Sequence, residues 1–422
     1  MASSIQEISE QDDFFSVYRK YTQGQESPQD FHFWTAVGIL SSICGRAILL
    51  NRGYYTLYPN HYIVLVSGSA LCRKSTALKI GVDLLKEALG KLRGEPGTIT
   101  TGLPTILSSK MTPEALCRAL SRQGIDSLDG EFDKLATEGT SRPVTLYSSE
   151  LGVFMSKSSQ ASGLVDLLID FYDCPDEWEY ITKTQGTDLV HQVYCSLMAA
   201  TTPNWIADNV TSSVFNQGLV GRTIFVYADK PNMRVGHPVY TAQEDYYKNV
   251  LSDHLVSLSS LGGTFREDNE AREIFDNWYN NREEPEDTND GASGFFGREH
   301  DHVLKLAMIY SLARRKTLVI HAEDIKDSIE KIAGIRLSFS QIFREVVYER
   351  EIYEVTYVEG IIQEAGQIGR SKLLKKVYKK MNQEKLDECL KALEAAGLVQ
   401  SELKKAKRGP SSTHYKYIGA AK

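Results

Sequence analysis

Residues 62–76 read Tyr-Ile-Val-Leu-Val-Ser-Gly-Ser-Ala-Leu-Cys-Arg-Lys-Ser-Thr. A wholly apolar run of this length suits a strand buried on both faces. Here it leads directly into a Gly, five further residues and a Lys-Ser pair, which is the layout of a nucleotide phosphate cradle. Gly68 takes the tight turn after the strand. Backbone N–H groups of Ser69, Ala70, Leu71, Cys72 and Arg73, and of the helix start at Lys74, Ser75 and Thr76, are then directed at phosphate oxygens. Lys74 supplies a point charge and Ser75 a hydroxyl for magnesium, so a nucleotide with Mg2+ is the expected ligand. One position departs from the usual pattern, because Arg73 stands where a second Gly normally precedes the Lys. Its side chain must leave the turn without crowding a nucleotide. The plainer alternative is a Gly-Ser turn before an ordinary amphipathic helix, 75–89, that carries Lys in its first turn.

At 422 residues the chain exceeds what one hydrophobic core usually holds, so more than one domain is expected. No apolar run approaches a membrane span, and the polar start MASSIQEISEQDD has no secretory character. A soluble, intracellular chain in the cytoplasm, without a membrane partner, is the expectation. Cys44, Cys72, Cys117, Cys174, Cys195 and Cys389 are scattered singly, without zinc-like spacing. They read as buried or partly exposed thiols in a reducing compartment.

The net charge of −7 conceals an asymmetry. Residues 366–422 carry 14 Lys and Arg against 5 Asp and Glu, a net of +9, and the remainder is correspondingly acidic. A compact basic unit on an acidic body is what nucleic-acid contact requires, since phosphate neutralisation supplies most non-specific affinity.

Four segments are expected. Residues 1–58 form an N-terminal helical or collar segment, with helices over 12–22 and 30–44 and an extended stretch over 47–57. Residues 59–235 alternate strands and helices, which argues for a parallel α/β nucleotide-binding sheet. Residues 236–365 are mostly helical, broken by the acidic loop 283–297. Residues 366–422 pair helices 371–380 and 384–396 with short strands 398–402 and 414–418, and read as a winged helix. The turn between those strands holds Lys404, Lys405, Lys407 and Arg408. Such a unit suits DNA or a protein partner, and its basic wing favours nucleic acid.

Phosphoryl transfer also needs an acid that orients water, a polar probe of the γ-phosphate and positive charge for the transition state. Glu150 ends the strand 144–150 and is placed to polarise water, preceded by Ser149 where an Asp is usual. A long return strand, ending Ala199-Ala-Thr-Thr-Pro-Asn, carries Thr202 and Asn204 to the nucleotide if it lies beside the strand 62–66. Arg222 precedes another apolar strand and emerges from a glycine-rich connection, where it suits a neighbouring subunit's ATP or a structural ion pair. Arg298 is read at the start of a long helix, where its charge opposes the macrodipole.

In order, these elements resemble the AAA+ ATPase core of minichromosome-maintenance-like helicases, and more closely the helicase-like replication proteins of phages and mobile elements. The likeness spans about residues 45–335. It implies an α/β P-loop core with a helical lid, in which Lys74 and Ser75 are the Walker A lysine and hydroxyl. Glu150 falls on the Walker B glutamate, Asn204 on the first sensor, Arg222 on the arginine finger and Arg298 on the second sensor. It also implies a channel hairpin, whose turn Lys183-Thr-Gln-Gly-Thr offers Lys183 to DNA. The activity implied is an ATP-dependent helicase on single-stranded or forked DNA, acting as a homo-oligomeric ring, most simply a hexamer, with any primase a separate protein. A helicase loader, or a DNA-binding replication initiator with slow or structural nucleotide binding, is the competing expectation.

Overall fold

The computed structural model describes residues 7–9, 11–94, 102–108, 111–120, 142–155, 163–182, 186–210, 218–282, 293–342, 349–404 and 412–419. The chain divides into two compact units, residues 1–340 and 341–422.

The larger unit is built on a five-stranded parallel sheet of β3 (Tyr62–Val66), β4 (Thr105–Leu107), β5 (Val144–Ser148), β8 (Cys195–Thr201) and β9 (Thr223–Tyr227), in spatial order β4-β5-β8-β3-β9. Every residue of β3 and β8 is buried, which accounts for the unbroken apolar run of β3. The order reverses at β3, which lies between β8 and β9 with Val66 beside Thr201 on one side and Tyr227 on the other. A ligand crevice in an open parallel sheet opens at such a reversal, outside the carboxyl ends of the strands.

Helix α1 (Phe14–Thr22) starts at Asp13, whose carboxylate accepts from the Ser16 amide at 2.8 Å. Helix α2 (Gln29–Cys44) is apolar around almost its whole circumference, with only Gln29, Asp30 and Phe33 outside the buried set. A helix hydrophobic on every side belongs inside a core, and α2 packs against the sheet and against α3 (Lys74–Gly94). The stretch after it is not one extended run. It folds into β1 (Ile48–Asn51) and the antiparallel β2 (Thr56–Leu57). β1 then pairs in parallel with β10 (Gly263–Glu267), which pairs with β11 (Val319–Ile320), so a second sheet joins the ends of the unit. The segments read separately as 1–58 and 59–235, and the part of 236–365 that precedes residue 341, therefore share one hydrophobic core.

The return strand of the sequence reading is in fact two strands. β6 (Glu177–Thr182) and β7 (Gly186–His191) make their own antiparallel pair, and the chain then turns through Gln192, at a left-handed φ of 53°, before β8 enters the central sheet. Lys183, at the turn of that pair, lies outside the described residues.

The smaller unit places α13 (Glu349–Ala365), α14 (Arg370–Val377) and α15 (Gln383–Ala395) against an antiparallel sheet of β12 (Gln367–Gly369), β14 (Ser412–Tyr417) and β13 (Val399–Lys404), in that order. Val358 and Ile362 of α13 lie in its core with Leu373, Leu386 and Leu393. Its first helix thus precedes residue 366, and β12 adds a third strand to the two expected. Of the basic turn, Lys404 ends β13, its Nζ donating to Gln367 Oε1 at 2.8 Å. Lys405, Lys407 and Arg408 lie outside the described residues.

Burial also limits the larger unit's tolerance of acid. It pushes His32 and His254 down to about 4 and His302 to about 3. Unfolded imidazoles take up protons near pH 6.5, so in the window from about 6.5 down to about 4 the unfolded chain binds more protons than the folded one. Stability is fully present above that window and falls as pH falls through it. A pKa lowered from about 6.5 to about 4 corresponds to roughly 3 kcal/mol, and three such rings together rival the stability of a whole domain. Denaturant unfolding is expected to show a marked loss between pH 7 and about pH 4.5. Equal midpoints at the two values would mean that these rings titrate normally in the fold.

Candidate nucleotide site

The loop after β3 is held on both flanks. Ser67 N–H donates to Thr201 O at 3.4 Å and Ala228 N–H to Val66 O at 3.0 Å, so ladder pairing continues to the last strand residue. Gly68 O then accepts from Leu71 N–H at 3.3 Å, closing the turn. Ala70 and Arg73 sit at left-handed φ values of 57° and 49°. That conformation costs a non-glycine residue on the order of 1–2 kcal/mol, and Arg73 is the position where the usual motif has Gly. Its side chain is directed out of the loop, where Nε donates to Glu26 Oε2 at 2.7 Å. Glu26 is itself fixed by Val235 N–H on Oε1 at 3.1 Å and by Asn232 N–H on its carbonyl at 2.9 Å. The arginine thus anchors the loop to chain segments on either side of it and keeps its bulk away from Lys74.

Helix α3 begins at Lys74, with Thr76 and Ala77 N–H donating to Arg73 O at 3.0 and 3.1 Å. Its first turn gives the site the amides and positive dipole end of a helix N-terminus. Lys74 Nζ donates to Ser67 O at 2.7 Å, Ser67 Oγ at 3.1 Å and Gly68 O at 3.0 Å. Burial pushes the Lys74 ammonium pKa down, and the Glu150 carboxylate opposes that shift. Ser75 Oγ donates to Ser149 O at 3.4 Å, joining the helix start to the end of β5. Glu150 N-caps α5 (Leu151–Phe154) without a capping bond from its side chain, and Ser148 Oγ holds its carbonyl at 2.8 Å. Ser149 is exposed. Asn204 is exposed in the first turn of α7 (Pro203–Val210), directly after β8. The parallel register therefore brings Gly68 to Thr76, Glu150 and Asn204 to one edge of the sheet, with Thr202 between β8 and α7. Cys72 is fully buried, its thiol raised by burial, so it reads as a packing residue of the loop.

Arg222 and Arg298 are elsewhere. Arg222 closes the helical turn α8 (Leu219–Arg222) just before β9, and Thr223 pairs with Tyr62 at the start of β3. It is therefore at the opposite edge of the sheet, roughly 13 Å of strand away from the loop. There Arg222 donates to Asp173 Oδ2 at 2.6 Å and Arg298 to Asp173 Oδ1 at 3.0 Å. One carboxylate bridges both guanidiniums. Burial pushes the Asp173 carboxyl up, and the Arg222 bond and the two neighbouring charges more than reverse this, leaving it below its ordinary value. Arg222 Nε is buried without a hydrogen-bond partner among the described residues.

Helix α11 (Ser293–Arg315) holds this edge in place. Gly221 permits it, because a Cβ there would lie 2.4 Å from Gly294 O. His302 Nε2 bonds to Gly221 O at 2.9 Å, and Lys305 Nζ donates to Asn60 Oδ1 at 2.9 Å while lying 3.7 Å above the Tyr172 ring. Burial pushes Lys305 down to about 8. Because α11 starts at Ser293, Arg298 is beyond its first turn, and the macrodipole argument from sequence does not apply there.

Asp173 and Lys305 were missed in the sequence, although each left a trace. Asp173 caps the C-terminus of α6 (Leu164–Tyr172), where a negative charge is unfavourable unless cations offset it. Lys305 interrupts the apolar run Val303-Leu-Lys-Leu-Ala-Met.

No family model matches the chain, and no curated protein matches it. No helix among the described residues is long and apolar enough to cross a membrane, and no group of three or more His, Cys, Asp or Glu there has metal-binding geometry. The class that fold and site define is a mixed α/β protein with a five-stranded parallel sheet.

Proposed function

We propose that this chain is an ATP-driven motor that translocates on DNA, a replicative helicase acting as a homo-oligomeric ring with a P-loop AAA+ core and a winged helix behind it. One observation carries the reading: the loop 67–76 follows the strand at which the sheet order reverses, and Glu150 and Asn204 follow the ends of β5 and β8 on the same edge. The residues present fit ATP. Lys74 and the first turn of α3 would offer positive charge to phosphates, and Glu150 would hold the attacking water. Ser75 and Glu150 fit magnesium, which binds oxygen ligands and keeps several waters, and which when bound neutralises phosphate charge.

The position of Arg222 supports action between subunits. It is at the far edge of its own sheet from its own loop, so the phosphates it could reach are a neighbour's. Arg298, joined to it through Asp173, would act from the same side. The basic C-terminal unit would hold DNA, with Lys183 the hairpin contact inside the ring.

Ser149 favours a second reading. It supplies no carboxylate beside Glu150, which weakens magnesium binding and suits a loader or an initiator in which nucleotide is structural. Strand displacement of a forked duplex with ATP and magnesium separates the two. Unwinding that requires ATP is expected. ATP binding without turnover or displacement would move the protein to the initiator class.

A further inference from the structure

Charge in the C-terminal unit is sorted by helix. Residues 370–380, which comprise α14 and the turn after it, contain six basic residues and no acidic one. Lys372, Lys375, Lys376 and Lys379 are exposed and recur at the i, i+3, i+4, i+7 spacing of a single helix face. The opposite face sets Leu373 and Val377 into the core. Arg370 and Lys380 are already engaged. The Arg370 Nη2 donates to both Asp387 oxygens at 2.7 Å, locking α14 to α15, and Lys380 Nζ bonds Tyr353 OH at 3.1 Å above the Tyr357 ring. Four lysines remain, three on α14 and Lys379 in the turn that follows it, in a row about 10 Å long.

Helix α15 has the reverse character. Residues 383–395 hold four acidic residues and two basic ones, and Glu384, Glu388 and Glu394 are exposed. Of its two lysines, Lys385 lies 3.1 Å from Glu388 and 3.8 Å from Glu354. In helix-turn-helix proteins the second helix is the one that enters a DNA groove. A net-negative helix between two phosphate backbones would be repelled from both.

We propose that this unit grips nucleic acid by its phosphodiester backbone through the lysine row of α14, with α15 turned away from the groove, so that binding does not depend on base sequence. The proposal rests on the nucleic-acid part of the reading above and is independent of ATP turnover.

The test uses the full chain, with a mixed-sequence duplex and its single strand as probes over a range of salt concentrations. Replacing all four lysines together (Lys372→Gln, Lys375→Gln, Lys376→Gln, Lys379→Gln) should weaken binding. It should also make the slope of log affinity against log salt shallower, by up to about 3.6 for duplex or about 2.8 for the single strand. These side chains are exposed, so folding should be unaffected. Gln383→Ala combined with Lys391→Ala, on the exposed face of α15, should leave affinity and slope at parent values. A competitor of unrelated sequence should displace the probe equally well. A parent-like slope in the four-lysine variant, or binding lost in the α15 variant, would overturn the proposal while leaving the motor reading standing. A parent chain that binds neither probe would remove both.

Discussion

Arg222→Ala is expected to remain folded, to bind ATP and to hydrolyse it about three to five decades more slowly, the cost of removing an arginine from the transition-state charge. The structure sharpens the test, because Arg222 already has an intramolecular partner in Asp173 and its role could end there. A purely structural arginine acts within its own subunit. A finger acts on the next one, so mixing Arg222→Ala with Lys74→Ala should restore part of the activity wherever an intact loop meets an intact arginine. Asp173 is half exposed and keeps Arg298 after the substitution, so its carboxylate is not left unpaired. Mass photometry with and without ATP is the companion measurement. A strictly monomeric protein, or no recovered turnover despite demonstrated subunit exchange, would remove the trans role.

Lys74→Ala and Glu150→Gln should fail in different ways. Lys74 holds three oxygens of its own loop, so alanine there loses both the charge facing the phosphates and the bonds that brace Ser67 and Gly68. Weak nucleotide binding and no hydrolysis should follow. Glu150→Gln keeps the side chain's shape and loses the charge that polarises water, so it should retain ATP and not turn it over. Equilibrium binding of a fluorescent nucleotide, read beside single-turnover hydrolysis on folded protein, distinguishes the two. Parent-like hydrolysis in either variant would defeat the assignment.

These predictions draw on two kinds of information. Local features were legible in the chain itself. The apolar run 62–66 became a strand paired on both sides, and the helix at Lys74 began where the motif placed it. Strand alternation, helix period and capping act between residues a few positions apart, so sequence records them directly. Arg73 shows the limit of that record. Its departure from the motif was visible, but only the fold supplied Glu26, 47 residues away, as the partner that draws its side chain out of the loop.

The larger divergences arise in the same way. Nothing near α2 in sequence says what covers it, and its all-round burial becomes a core position only once the sheet and α3 enclose it. The parallel pairing of β1 with β10 joins segments more than 200 residues apart, and Asp173 joins Arg222 and Arg298 across 49 and 125 residues. The sequence by itself determined the apolar strand, the Gly-to-Lys-Ser loop that follows it, the alternation of strands and helices behind it and the basic character of the C-terminal unit. Tertiary structure alone decided which edge of the sheet each candidate residue occupies and which carboxylate neutralises which arginine. Loop closure costs only about 0.6 kcal/mol more for each doubling of length, so distant segments meet according to which surfaces fit, and no short window of sequence holds both surfaces.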